Sequence, residues 1–138
     1  MRTAVDTNVL SLYWSGNERF RDMQSLLVRC AAEGAVMISG IVYAELLAHP
    51  RAGRDLLSTF LQEAGIAMEP ETGAATWETA GRAYSAYCRQ RRSSGGGESK
   101  RLLADFVIGA HAQLRADRLA TLDQERYRAY FPELVLIP

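Results

Sequence analysis

The chain has 138 residues, 48% hydrophobic and 23% charged, with sixteen basic side chains set against sixteen acidic ones. Those proportions exclude a disordered tail and a two-domain enzyme, and they predict one globular domain over residues 1–138. A zero net charge provides no overall positive field to draw in a polyanion.

The basic residues are skewed: fifteen of the sixteen are arginine, and Lys100 is the only lysine. Arginine's planar fork suits bidentate contacts to phosphate and carboxylate. The first residues hold no apolar run of signal length, and no stretch approaches the roughly 18 apolar residues of a membrane span. A cytoplasmic protein with no membrane partner is therefore expected. Cys30 and Cys88 stand apart, without a C-x-x-C pattern, and read as reduced thiols packed in helices.

In chain order, short apolar runs at residues 3–6, 36–38, 66–68, 119–121 and 134–137 read as strands. Between them, residues 9–14, 20–32, 41–48, 54–63, 74–91 and 101–115 read as helices. The fifth helix places Trp77, Ala80, Gly81, Tyr84 and Cys88 on one face. Strands alternating with helices predict an α/β fold: a three-layer α/β/α sandwich around a mostly parallel sheet of about five short strands. The serine- and glycine-rich run at 93–97 reads as a mobile loop rather than a domain boundary. It lacks the spacing of a phosphate-binding P-loop and follows no strand.

Charge isolation is the informative feature. Asp6 is the only charged side chain between Thr3 and Asn17, Glu45 the only one between Gly34 and Ala48, and Asp105 the only one between Leu102 and Ala110. The helix carrying Asp105 is apolar nearly all round, as a buried helix is, and Asp105 shares its face with the small residues Gly109 and Ala112. A carboxylate in such surroundings is costly unless it is paired, hydrogen-bonded or bound to a metal.

Topology offers a common explanation, because ligands of open parallel sheets bind outside the carboxyl ends of the strands. Asp6 ends the first strand, Glu45 follows the second, Asp105 lies on the helix feeding the fourth, and Asp123 comes just past that strand. Four converging carboxylates repel one another, and a hard divalent cation, Mg²⁺ or Mn²⁺, relieves the repulsion. Zinc is disfavoured for want of cysteine and histidine ligands. Structural alternatives stay open for each acid. Asp6 and Asp123 are also candidates for helix caps, and Glu45 and Asp105 for buried pairs with arginine. His49 follows Glu45 by four residues, but Pro50 ends the helix there.

Four segments carry a family resemblance: VDTNVL at 5–10, ISGIVYAELL at 38–47, LLADFVIGAHA at 102–112 and TLDQERYRAYFPELVLI at 121–137. Together they resemble PIN domains, and specifically the VapC-type toxins of bacterial toxin–antitoxin pairs, over essentially the whole chain. The resemblance implies a Mg²⁺- or Mn²⁺-dependent endoribonuclease, inhibited by an antitoxin and paired as a homodimer. It maps Asp6, Glu45 and Asp105 onto the family's three most consistent acids and Asp123 onto a more variable fourth. Asn8, Ser39 and Thr121 match its small polar site positions, although Ser39 also fits as an ordinary N-cap. Gln124 and Glu125 stand where basic residues are frequent in the family, and His49-Pro50 where a glycine is.

Arg82, Arg89, Arg91, Arg92, Lys100 and Arg101 surround the glycine-rich run and are candidates for holding RNA backbone, or simply a solvated face. Tyr84 and Tyr87 offer rings for stacking on bases, but Tyr84 also matches the apolar stripe. Tyr13, Trp14 and Phe20 are candidates for an antitoxin groove or for core. A phosphoacceptor receiver or dehalogenase-like phosphatase lacks its required lysine or second acid here. The remaining alternative is a non-catalytic module that binds RNA or a protein partner.

Overall fold

A computed structural model describes residues 1–16, 18–70, 72–96 and 103–138. The strands β1 (Arg2–Val5), β2 (Ala35–Ser39), β3 (Ile66–Glu69), β4 (Arg118–Ala120) and β5 (Leu136–Ile137) form one sheet in the order β3-β2-β1-β4-β5. Every pairing is parallel. Burial explains this choice. Thr3, Ala4 and Val5 are all buried, as are Val36 to Ser39 in β2, so neither strand alternates between a wet and a dry face. Such strands belong in a parallel sheet covered by helices on both sides.

The covering helices are α1 (Thr7–Trp14), α2 (Phe20–Glu33), α3 (Gly40–Leu47), α4 (Arg54–Glu63), α5 (Ala74–Ser93), α6 (Leu103–Arg115) and the short α7 (Gln124–Arg128). The predicted α/β sandwich is the observed architecture, and the sheet is wholly parallel. Helix α6 is the most enclosed of the helices, with every residue from Phe106 to Ala112 buried. It packs on α5, α3, β1 and β4. Gly109 sits beneath the Phe131 ring, whose nearest atom would lie 2.4 Å from a Cβ there. The C-terminal segment closes over α6 at this point.

Three expectations need correction. Helix α1 begins at Thr7, two residues earlier than its apolar pattern suggests. Helix α7, only five residues long, is not among the helices read from periodicity, because one polar turn shows none; only the capping role considered for Asp123 foreshadows it. The buried stripe of α5 runs through Thr76, Ala80 and Tyr87, while Trp77 is 48% exposed and Gly81 is also exposed. The aromatic partner on α6 sets this rotation: Tyr84 and Tyr87 pack on Phe106 with ring centroids 5.3 and 5.5 Å apart. Trp77 instead donates its indole N–H to the carbonyl of Thr72 at 3.0 Å. Helix α5 also runs through Ser93, and the end of the expected loop, with Lys100 and Arg101, lies outside the described residues.

At Gly34 the chain turns into β2 with φ at +153°, and a Cβ would lie 2.0 Å from the Met1 carbonyl oxygen. That same oxygen accepts the Ala35 N–H at 2.9 Å. Gly34→Ala is expected to destabilise the fold by about 1–3 kcal/mol. Thermal unfolding should show this as a midpoint lowered by several degrees.

Candidate active site

From β1 the chain proceeds outward to β2 and β3, whereas β4 and β5 lie on the other side of β1. The carboxyl ends of β1 and β4 therefore flank a topological switch point, the usual location of a ligand crevice in open α/β sheets. Asp6 follows β1 and Thr121 follows β4. The Asp6 N–H donates to the Ala120 carbonyl at 2.9 Å, which sets the two residues side by side.

Asp6 is only 4% exposed. It occupies the N-cap position of α1 yet makes no side-chain cap bond, so capping does not account for it. One carboxylate oxygen, Oδ2, accepts from Thr121 Oγ1 at 2.7 Å, Tyr127 OH at 2.9 Å and Asn8 Nδ2 at 3.0 Å. Asn8 is itself fixed, since its Oδ1 accepts the Leu122 N–H at 3.1 Å. Burial pushes the Asp6 carboxyl above its usual range. The hydrogen bonds from Thr121, Tyr127 and the Thr7 backbone pull it down in part, and the charge of Asp105 pushes it up again. Burial, together with the adjacent Asp6 charge, also lifts the Tyr127 phenol far above its ordinary value. Tyr127 therefore remains a neutral donor.

The other acids arrive by separate routes. Glu45, on α3, accepts the hydroxyl of Thr7, the residue after Asp6. Asp105, near the start of α6, accepts Arg126 Nη1 at 2.9 Å. Asp123 accepts Arg126 Nε at 2.9 Å and caps α7 through the Arg126 N–H at 3.2 Å. The arginine pairing considered for Asp105 and the capping considered for Asp123 are both present, and one residue serves both. Burial lowers the Arg126 pKa, but the charge and hydrogen bond of Asp105 and the charge of Asp123 outweigh it and hold the guanidinium above its usual value.

Ser39 caps α3, its hydroxyl accepting the Val42 N–H at 3.4 Å. His49 accepts the Arg51 N–H at 3.2 Å and lies 5.9 Å from the Trp14 ring, engaged with the end of its own helix. Tyr87 is buried among Tyr84, Phe106 and Tyr130, which withdraws it as a ring for stacking on bases. Arg82, Arg89 and Arg92 are exposed on α5 and Arg91 is half-buried there; Arg82 and Arg89 bond to Thr79 and Ser85 of the same helix. Thr7, Arg126 and Tyr127 escaped the sequence reading. The one available signal was spacing, since Tyr127 follows Asp123 by four residues and so falls one helical turn beyond it.

The donor set suits a hard cation, because every candidate ligand is oxygen. Among the described residues no three acidic, histidine or cysteine side chains form a ready-made metal-holding group. Instead the acids are divided, with Asp6 held by neutral donors and Asp105 and Asp123 held by Arg126. The charge of Asp105 is nevertheless felt at Asp6, and a cation held by these two residues would relieve that repulsion. The residues fit a divalent ion on these grounds.

A family model for the PIN domain matches residues 3–132. The chain belongs to the PIN domain family. None of the curated proteins compared is significantly similar to it. Among solved structures, VapBC2 from Rickettsia felis, bound to a DNA fragment from its promoter, is 21% identical with a TM-score of 0.65, covering 99% of this chain and 98% of that one. FitAcB from Neisseria gonorrhoeae is 21% identical, with a TM-score of 0.64 over 99% of this chain and 96% of that one. DNA-bound VapBC from Salmonella typhimurium is 16% identical, with a TM-score of 0.63 over 99% and 97%.

A carboxyl whose folded pKa is raised adds stability only while it is protonated, and that contribution is lost as pH rises through the folded value. Ionised Asp6 therefore costs the metal-free protein stability at neutral pH. Asp6→Asn in chelator is expected to be more stable than wild type at pH 8, with the difference shrinking towards pH 4. Urea denaturation at the two pH values measures it, and a constant or reversed difference would contradict the burial argument.

Proposed function

We propose that the chain, as a single cytoplasmic PIN domain over residues 1–138, is a Mg²⁺- or Mn²⁺-dependent endoribonuclease acting as the toxin of a toxin–antitoxin pair. The observation that carries this reading is the buried Asp6 carboxylate at the switch point, held on one oxygen by three donors and pressed by the charge of Asp105.

Asp6 and Asp105 would hold the ion, with Glu45 and Asp123 completing the oxygen set directly or through water. When bound, such an ion lowers the pKa of a coordinated water and neutralises charge on the scissile phosphate. The remaining work falls to the chain. Thr121, Asn8 and Tyr127 prevent the Asp6 carboxylate from turning, and Thr7 orients Glu45. The buried body of α6 sets the position of Asp105. Ser39 supports the site by starting α3, which carries Glu45. By resemblance to the family, the products carry a 5′-phosphate and a 3′-hydroxyl. Arg82, Arg89, Arg91 and Arg92, with Lys100 and Arg101 beyond, would bind RNA backbone in a salt-dependent manner.

For the antitoxin, α1, α2 and α4 enclose a groove of about 300 Å³ whose lining includes Tyr13, Leu27, Val28, Ala31, Phe60 and Ala64. Tyr13 is set by Phe20 and Phe60, with ring centroids 4.6 and 4.9 Å away, and Trp14 packs on Phe60 at 5.0 Å. Val28 is 63% exposed at the groove, an apolar residue suited to covering by an apolar helix. Pairing of two copies follows from the family reading.

A second reading, an RNA- or partner-binding module without catalysis, draws on the neutralisation of Asp105 and Asp123 by Arg126. End-labelled RNA incubated with the protein in Mn²⁺ or EDTA distinguishes the two. We expect cleavage in Mn²⁺, none in EDTA, and a loss of at least about 100-fold in Asp105→Asn, the scale of removing one electrostatic contributor. RNA binding that persists in EDTA, with no cleavage under any metal, would establish the binding module instead. Val28→Asp should abolish co-purification with the product of an adjacent antitoxin gene while leaving RNA cleavage unchanged. Retained co-purification would rule out the groove.

A further inference from the structure

Among the described residues, Arg126 is a cation that bonds two of the candidate metal ligands at once. Its fork spans two acids that come from different parts of the fold, Asp105 of α6 through Nη1 and Asp123 before α7 through Nε, each at 2.9 Å. Its own backbone N–H is taken by Asp123 at 3.2 Å. The side chain is 39% exposed, so the guanidinium has access to water and room to leave. Arg128, two residues on, bonds only within its helix turn, to Gln124 Oε1 at 2.7 Å.

We propose that Arg126 is a built-in counter-ion of the acidic pocket, which a divalent cation must overcome in order to bind. This inference rests on the metal reading given above. Asp6, Asp105 and Asp123 bring three carboxyl groups to one sheet edge, and among the described residues Arg126 supplies a positive charge bonded to two of them. Without it, the carboxylates would face one another uncompensated and the empty pocket would resist folding. With it, the pocket is tolerable when empty, but an arriving ion meets a guanidinium on two of its ligands. Whether Arg126 swings out to water or stays and repels, its charge opposes the ion. The protein thereby tolerates the empty pocket and binds the ion more weakly than it would without the guanidinium.

The consequence is opposite to that of losing a ligand. Arg126→Gln removes the charge and keeps a shorter polar side chain at a partly exposed position. Calorimetric titration with Mn²⁺ should give a Kd lower than wild type by roughly tenfold, which corresponds to about 1.4 kcal/mol. In chelator the variant should melt below wild type, and saturating Mn²⁺ should close the gap. Arg128→Gln, which removes a charge bonded to Gln124 rather than to Asp105 or Asp123, should match wild type in both measurements. Equal or weaker Mn²⁺ binding by Arg126→Gln, with measurable binding by wild type, would overturn the counter-ion role and make Arg126 a positioning residue for Asp105. Mn²⁺ binding by neither protein would overturn the metal reading itself, and this inference with it.

Discussion

The rest of the site depends on keeping one ionisable carboxylate dry. Taking a carboxylate out of water costs several kcal/mol even after relaxation, and Asp6 is nearly sealed at the carboxyl end of the central strand. The offset comes from three donors on a single oxygen, each hydrogen bond to a charged group contributing about 1.5–3 kcal/mol. Each donor imposes a structural demand. Thr121 must stand beside Asp6, which the parallel pairing of Val5 with Ala120 secures. Asn8 must lie on the first turn of α1 and grip the Leu122 N–H. Tyr127 must return to the pocket from α7, which requires a helix there despite its brevity. The fold after β4 is thus arranged around a side chain from the start of the chain.

Helix α7 shows how local and distant requirements coincide. Asp123 caps it, Arg126 closes onto Asp123 and Asp105, and Tyr127 reaches Asp6. One turn later Phe131 lies on Gly109, a contact that any side chain at 109 would obstruct. Such a short helix has little stability of its own. It persists because its side chains are committed to the pocket and to α6. Disturbing the acids therefore disturbs the C-terminal segment, and the reverse holds as well.

How much of this was legible in the sequence follows from which interactions leave a pattern. Elements with internal periodicity were readable, and α4 lies at the expected residues 54–63. The isolation of Asp6, Glu45 and Asp105 was readable too, because an acid amid apolar neighbours violates the ordinary partition of charge to water. The rotation of α5 was not, since Trp77 and Thr76 differ by one position and only the rings on α6 decide which is buried. Tyr127 and Arg126 were invisible for a related reason. Each works through a long-range bond, to a residue 121 or 21 positions away, and no local pattern records such a bond.

The zero net charge also takes on a different meaning once the residues are placed. Neutrality in the sequence argued against a polyanionic partner, but the charges are not mixed evenly. Acids gather at the carboxyl edge of the sheet, while α5 carries Arg82, Arg89, Arg91 and Arg92. Among the described residues, Arg126 is set between two of the acids. The structural roles found for Asp105 and Asp123, one paired and one capping, do not compete with a metal role. A carboxylate that can hold a dication also needs a partner when no ion is bound, and Arg126, three residues beyond Asp123, bonds both Asp105 and Asp123.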